Sequence, residues 1–575
     1  MDMEKIKKYI GKIGLVALVC CTMSSCENFL DTTDFTNKND SNFPRTEADL
    51  NTLLTGIYGT MASNVEVGTF QIGSWTSDDQ FGGGGMTDMR NHGLTTLLKS
   101  TDNMIDNSWS NLYSGIYNTN KLLEIVDDVE FKNESDRSRV KGEAYFMRAF
   151  FYGELTKLFG DVPLYTTSEV TNIPRTPAKE VYAVIASDLK KAIELLPSTS
   201  FQQTSVSRLG HATRWAAEAY MAREFLFYTG YYKDDSMPLA EGGSISKDNV
   251  VDYLNDCINN SGHGLVDDFR SLWFYTNAAT GDDYPYNKET QVKWIGEEGA
   301  NIETIFAVKF NVDGDWGRVF HSNAVSLCNG LRNLDKLSNG FPFGLGWGWS
   351  TVNPKMASKW KEEEPNDIRY KASILDVNDP SEGMSNYDEG FDAAWVTDLY
   401  AKKYLPVASW KDVDKTVAWP AACELFGAKN DPYFGNMQDL VYMRFADVLL
   451  MHSELTQTPE GINRVRKRVN LEPIAGYSFE ALEKERHYEL AFEGLRYHDV
   501  LRWYGPEQAG ILLDQNRNGV KVFNAKVPTV VKVNMTKRVK ETGGFYQIPQ
   551  SQIDLSDGML VQNPGWALPD ILFSW

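Results

Sequence analysis

Through the first half of the chain, apolar residues recur at three- and four-residue spacing, the signature of helices with one buried face. Over residues 46–61, Leu50, Leu53, Leu54 and Ile57 fall on one stripe, and Thr46 is placed to cap the first turn. The same period predicts helices over about 103–129, 134–159, 177–196, 211–228 and 250–260. Gly160-Asp161-Val162-Pro163 stops the second of these, and Pro177 and Pro197 bracket the third. The fourth is rich in small residues, Ala216, Ala217, Ala219 and Ala222. Consecutive helices with small residues at their contacts predict antiparallel hairpins stacked as a solenoid.

The pattern changes at Gly262. Over residues 262–432 long periodic helices disappear, Gly, Asn and Asp crowd the sequence, and nine of the fifteen tryptophans fall there. Helical periodicity returns over 440–454, 459–469 and 479–504, and the tail from Gly510 reads as short strands and loops. The stretch 481–504 stands out. Leu482, Leu490, Phe492, Leu495, Val500 and Leu501 supply an apolar face, while Glu485, Glu489 and Glu493 form an acidic ridge every four residues. Arg486, Arg496 and Arg502 can reach carboxylates on this helix or on its neighbours. Such charges beside large apolar groups predict a helix half sunk among others, its carboxylates structural rather than catalytic.

The first 25 residues are not part of this fold. Lys5, Lys7, Lys8 and Lys12 precede a short apolar run, then Ser24 and Ser25 stand before Cys26. This order is a signal peptide ending in a lipobox-like site, with Met23 where leucine is commoner. Cleavage before Cys26 leaves a lipid-modified N-terminal cysteine, and a tri-acyl anchor exceeds the two signals that stable attachment needs. Later segments fall short of the roughly 18 apolar residues of a membrane helix, so the expected product is a folded body tethered to a membrane.

Six stretches carry a resemblance. The run Glu485-Arg486 through Glu489-Leu490-Ala491-Phe492-Glu493-Gly494, Arg496, Asp499, Arg502 and Trp503 resembles the signature helix of the SusD/RagB family. Met443-Arg444-Phe445-Ala446-Asp447 with Glu454, Ile462 to Arg468, and Tyr546-Gln547-Ile548-Pro549 leading to Gln562-Asn563-Pro564-Gly565-Trp566 resemble the same family in the same order. Gly142 to Ala149 and the Cys26-Glu27-Asn28-Phe29-Leu30-Asp31 start resemble it too. The resemblance implies a mainly α fold: tetratricopeptide-like helical repeats, a large irregular Trp-rich subregion and short strands. It forms a single large domain over 26–575, with repeats at about 45–260 and 437–504 and the irregular region at about 262–432. The tetratricopeptide period itself is not clean in the sequence. The resemblance also implies a non-catalytic outer-membrane lipoprotein on the cell surface. Such a protein captures oligosaccharide or polysaccharide and acts as a lid on a SusC-like TonB-dependent transporter. Two alternatives stay open: a surface glycosidase with paired carboxylates, and peptide capture through the same architecture.

Composition narrows the partners. The formal net charge is −21, which disfavours nucleic acid and anionic membrane surfaces and is compatible with neutral sugars. Beyond the N-terminus only Cys257, Cys328 and Cys423 remain, far apart and without a C-x-x-C, so buried free thiols are expected rather than disulfides or zinc. Asp514-Gln515-Asn516-Arg517-Asn518-Gly519 imitates half an EF-hand loop but places Ala525 where a bidentate Glu belongs, and reads as a turn. Asn311-Val312-Asp313-Gly314-Asp315 is weaker still. No histidine pair has metal-ligand spacing, no nucleophile motif is present, and neither cofactor nor metal is expected.

A sugar site needs a flat aromatic against the C–H face of a pyranose and planar polar groups for its hydroxyls. The run Phe81-Gly82-Gly83-Gly84-Gly85-Met86 lacks G-K-[ST] and reads as a mobile loop, with Trp75, Asp78, Asp79 and Gln80 beside it. The expected glycan-binding residues are Trp75, Asp78 and Phe81, with Trp273, Trp294 and Trp316 from the irregular region, and Trp347 and Trp349 next. They are chosen because they sit among loop-forming residues rather than on periodic apolar faces.

The anchoring reading is tested by Cys26→Ala: palmitate labelling and protease accessibility on whole cells are both expected to be lost. A variant that still labels and stays exposed overturns it.

Overall fold

The computed structural model describes residues 43–63, 68–98, 105–298, 301–384 and 387–566. The signal segment, Cys26 and the family-like start lie outside the described residues. Among the described residues, eight α-helices open the fold: α1 (Glu47–Ser63), α2 (Thr69–Trp75), α3 (Met89–Thr96), α4 (Asp106–Ile125), α5 (Glu134–Phe159), α6 (Ala178–Leu195), α7 (Arg214–Tyr232) and α8 (Lys247–Asn260). Their starts follow from local chemistry. The Thr46 hydroxyl accepts from the Asp49 amide while the Asp49 carboxylate accepts from the Thr46 amide, a reciprocal cap. Thr213 caps α7 through the Ala216 amide, and Ser246 with Asn249 forms a full capping box on α8.

Helix α5 is the axis of the scaffold: every residue from Phe146 to Phe159 is buried. It packs between α4 and α6, with α1 against α4, α7 against α6, and α8 against α7. This is the stacked-hairpin array that the periodicity predicts. The array does not stop at α8. Helix α9 (Phe445–Thr456) packs directly on α8, and α10 (Glu460–Arg468) packs on α9. Residues 261–439 are therefore inserted between two neighbouring members of one array. The insertion holds short helices and two-stranded ribbons, the longest helix being Pro354–Glu363. It is closed where Thr304–Val308 pairs antiparallel with Leu440–Arg444. The helix expected over 440–454 thus begins with a strand, because residues 440–444 are needed for that ladder.

The helix expected over 479–504 is also divided, into α11 (Phe479–Glu489) and α12 (Arg496–Arg517). The cause is steric. Gly494 sits at φ +78°, and a Cβ there would come within 2.6 Å of the Phe70 Cα. Gly73 in turn lies against the Gly494 carbonyl with no space for a side chain. Helix α2 and the 490–495 turn therefore meet backbone to backbone, which a continuous helix does not permit. Helix α12 bends again at Gly505-Pro506. The tail is more helical than expected: after a hairpin over 521–530 come α13 (Met535–Thr542), packed along α12, and a last turn at Gln550–Leu555.

The acidic ridge of α11 lies at the meeting point of these parts. Glu489 is fully buried and pairs with Arg369 of the insertion (2.9 Å), with Arg444 at the end of the closing strand and with Arg468 of α10. Glu493 takes Arg444 (2.7 Å) and Lys403 (2.7 Å), and Glu485 takes Arg369 (2.6 Å) and Arg466 (3.1 Å). Burial alone would raise the pKa of Glu489, but Arg468, Arg444 and Arg369 outweigh it and hold the carboxyl well below its usual range. Saturated in this way, neither Glu489 nor Glu493 has a free oxygen for general acid–base work. The same logic binds Arg486 to Asp447 (2.6 Å) and Asp499 (3.1 Å), and Arg502 to Asp499 (2.8 Å).

Glu489→Ala removes one anion from among three buried guanidinium groups and is expected to lower stability by about 3 kcal/mol or more, read as a shift in the urea midpoint. Because the native pKa of Glu489 and Glu493 is depressed, their contribution is present above the ordinary carboxylate range of about 4 and is lost as pH falls below it. Wild type should hold its melting temperature down to about pH 5 and lose it steeply below about pH 4. An equal melting temperature for the variant and wild type at pH 7 overturns this account.

Candidate functional site

The Gly-rich run is not a mobile loop. It is threaded between two parts of the insertion: the Phe81 amide donates to the Thr351 carbonyl (2.9 Å), the Gly84 amide to Gly348 (3.0 Å), the Ala394 amide to the Gly84 carbonyl (2.8 Å) and the Met86 amide to Asp392 (2.7 Å). Gly83 lies at φ +48° with no room for a Cβ against the Gly348 carbonyl, and Gly84 lies at φ +85°. The glycines allow three backbones to run side by side.

This threading decides where the expected site residues go. Trp75 is fully buried, edge-on to Trp349 at 5.3 Å, so neither face is open to a ring. Phe81 is fully buried, edge-on to Trp395 with the Arg517 guanidinium 5.5 Å above it. Asp78 is held by Arg496 through both oxygens (2.8 and 3.1 Å) and by Asn516 (2.7 Å). Trp273 is buried against Phe269 and Tyr404, with the Lys403 ammonium 5.0 Å from its ring. For these four the structure corrects the expectation: Gly- and Asp-rich surroundings marked close backbone packing, not exposure. Trp294 is half-buried, edge-on to Phe274 at 4.9 Å. Trp316 is 64% exposed, tilted against Tyr433 and edge-on to Phe434 at 4.8 Å. Its loop is fixed by Arg318, which pairs with Asp313 (2.6 Å) and Asp315 (2.7 Å), the acids of the weak calcium-like run. Asp514, the other such acid, accepts from the Met535 and Thr536 amides at the start of α13.

The half-buried aromatic next to the Gly-rich run is Trp347, tilted on Trp349 at 5.0 Å. The indole nitrogen of Trp349 donates to Asp88, just past the glycines (2.8 Å). Arg332 reaches the Trp347 carbonyl and forms an ion pair with exposed Asp392 (2.6 Å). Asn333 donates to Asp392 (2.7 Å) and to the Glu389 carbonyl. Hydrogen bonding from Arg332 holds the Asp392 carboxyl below its usual range despite partial burial. Phe391 is 75% exposed beneath the Lys526 ammonium, 4.5 Å from its ring centroid, and Lys526 also pairs with Asp388 (2.7 Å). One outer face thus presents two aromatics with a guanidinium, an amide and carboxylates, held in place by hydrogen bonds to one another. Chemically it can stack on an apolar ring face and exchange hydrogen bonds with hydroxyls. Sequence reasoning missed Arg332, Asn333, Phe391 and Asp392. Their local signal was the Asp388-Glu389-Gly390-Phe391-Asp392 turn, an aromatic flanked by acids, which resembles any solvated loop.

Two family models match this chain. One, described as starch-binding and associating with the outer membrane, covers residues 28–226; the other, the SusD family, covers residues 303–566. A SusD-like protein, P25, of Formosa agariphila is 24% identical over 531 residues, spanning 85% of this chain and 88% of its own. A SusD-like protein of Bacteroides ovatus is 21% identical over 508 residues, 86% of this chain and 82% of its own. Among solved structures, one titled a laminarin-binding SusD-like protein superposes with a TM-score of 0.67 at 23% identity, covering 91% of this chain and all of the other. Surface glycan-binding protein A from Bacteroides thetaiotaomicron, in complex with laminarihexaose, gives 0.66 at 18% identity over 90% of this chain and 99% of its own. Among the described residues no helix is long and apolar enough to cross a membrane. With its helical-repeat array, buried signature helix and C-terminal closure in place, the chain belongs to the SusD family.

Proposed function

We propose that this protein is a non-catalytic, lipid-anchored surface lipoprotein of the outer membrane. In this reading it captures an oligosaccharide and passes it to a SusC-like TonB-dependent transporter. The observation that carries the reading is the outer face built on the Gly-rich run: Trp347 and Phe391 as stacking surfaces, with Arg332, Asn333 and Asp392 oriented around them. Trp316, the most exposed tryptophan of the irregular region, and half-buried Trp294 are proposed as outlying contacts. One of the similar solved structures is of a laminarin-binding protein and another is a complex with laminarihexaose, which makes a neutral β-glucan the first ligand to try. The strong negative charge of the chain agrees with an uncharged ligand. The signature-helix carboxylates are consumed by arginines, which supports binding without hydrolysis.

The test is a glycan panel, read by affinity electrophoresis and by reducing-end release. Retention without new reducing ends is expected; new reducing ends would make the protein a glycosidase. With a binding glycan in hand, loss of a stacking partner worth about 2 kcal/mol weakens affinity roughly thirtyfold. Trp347→Ala and Phe391→Ala should each show a loss of this order by calorimetry, with circular dichroism unchanged. If both fold and bind within about twofold of wild type, the site lies elsewhere, and Trp316→Ala is the next variant to measure.

A further inference from the structure

At the root of the Gly-rich run, two carboxylates and an imidazole converge away from the aromatic face. Asp78 and Asp79 follow the end of α2, and His487 projects from α11. One ligand atom from each lies within 4.8 Å of the others. Asp79 is fully buried. Its Oδ1 accepts from the His487 Nε2 at 2.5 Å, while its Oδ2, also buried, has no hydrogen-bond partner among the described residues. A buried carboxylate oxygen left unpartnered is costly. Asp78 and His487 also line an open cavity of about 600 Å³ with Arg496, Lys355, Glu363 and Tyr488, a route from solvent wide enough for a hydrated ion.

We infer that Asp78, Asp79 and His487 bind a divalent transition-metal ion, with Zn²⁺ preferred, the cavity supplying water to the remaining coordination position. An imidazole with two carboxylates suits zinc or its neighbours rather than calcium or magnesium, which take oxygen-only sets. Zinc bonds of about 2.0–2.2 Å place tetrahedral ligand atoms roughly 3.4 Å apart, so side-chain rotations of an ångström or so gather the trio. For the ion to bind, the one N–H of the neutral His487 ring moves from Nε2 to Nδ1, and the freed Nε2 lone pair coordinates in place of its hydrogen bond to Asp79. Asp78 keeps Arg496 and Asn516 and coordinates through a lone pair they leave open, since each carboxylate oxygen has two. Of the neighbouring charges, Arg496 and Arg517 bear on Asp78, and Glu483 pairs with Arg496. Arg496 bears on Asp79 as well. Since Asp79 stands two residues ahead of Phe81, a bound ion would tie α11 to the entry of the Gly-rich run.

The experiment uses untagged protein stripped with chelator and titrated with ZnCl₂, CaCl₂ and, for spectroscopy, CoCl₂. The expected result is one Zn²⁺ per chain with micromolar affinity, weaker binding at about pH 5.5 than at about pH 7.5, and visible Co²⁺ absorption bands. Calcium should not compete. His487→Asn and Asp79→Asn should each weaken Zn²⁺ binding about 100-fold or more, beyond the range of outer-shell changes. The wild-type titration decides the matter even if a variant fails to fold: absence of saturable Zn²⁺ binding up to about 1 mM overturns the inference. So does unchanged affinity in both folded variants. No glycan enters the readout, so its outcome is independent of the ligand proposed above.

Discussion

The fold depends on keeping several charges out of water at once. Glu489 stands where three separately built parts meet: the irregular insertion through Arg369, the closing strand through Arg444, and the end of the helical array through Arg468. Each guanidinium group needs an anion because it is buried, and the anion needs all of them for the same reason. Arg444 and Arg468 also share Glu303 (2.8 and 2.7 Å), so the charges form one connected buried network that ties the insertion to the array. The lysines extend the principle: Lys402 lies buried on Glu382 with its ammonium 3.8 Å from the Tyr286 ring centroid, and Lys403 on Glu493 beneath Trp273. Much of the aromatic content of the insertion therefore serves to shelter charge.

That explains what could be read in the sequence and what could not. The helices of the array were legible because their signals are local: the period of Leu50, Leu54 and Ile57, the Thr46 cap, the proline ahead of α6. The structural role of Glu489 was legible because carboxylates at four-residue spacing among arginines have few other uses. The break at Gly494 was not, because its cause is the backbone of α2, more than four hundred residues earlier in the chain. The tryptophans failed for a related reason. Trp75 and Trp273 have the neighbours of a surface loop in sequence, yet their neighbours in space are Trp349 and Tyr404. Glycine crowding reports that backbone comes close to something; it does not say whether that something is water, ligand or another strand.

Threading the Gly-rich run has a further effect on the candidate site. A loop that changed shape on binding would spend part of the binding energy on ordering itself. Here the Trp347 region is fixed by hydrogen bonds from Gly84 and Met86 to segments on either side, and Asp392 is oriented by Arg332 and Asn333. The face is held at its base by backbone hydrogen bonds and exposed at its rim, where Phe391 and Asp392 lie.

The position of residues 261–439 carries one last implication. Because this segment leaves the array after α8 and rejoins it at α9, with Thr304–Val308 and Leu440–Arg444 latched together at its neck, the stacking of the array's helices does not depend on the length of its outer loops. Changes beyond that neck are screened by whether they keep the latch, the pairing of Arg369 with Glu489, and the backbone contacts of Gly348, Thr351, Asp392 and Ala394 with the Gly-rich run. Such a chain can drift to a fifth or a quarter identity with its relatives while superposing on them across nine-tenths of its length. New ligand preferences can then arise as cassette replacements, without the scaffold having to be reinvented.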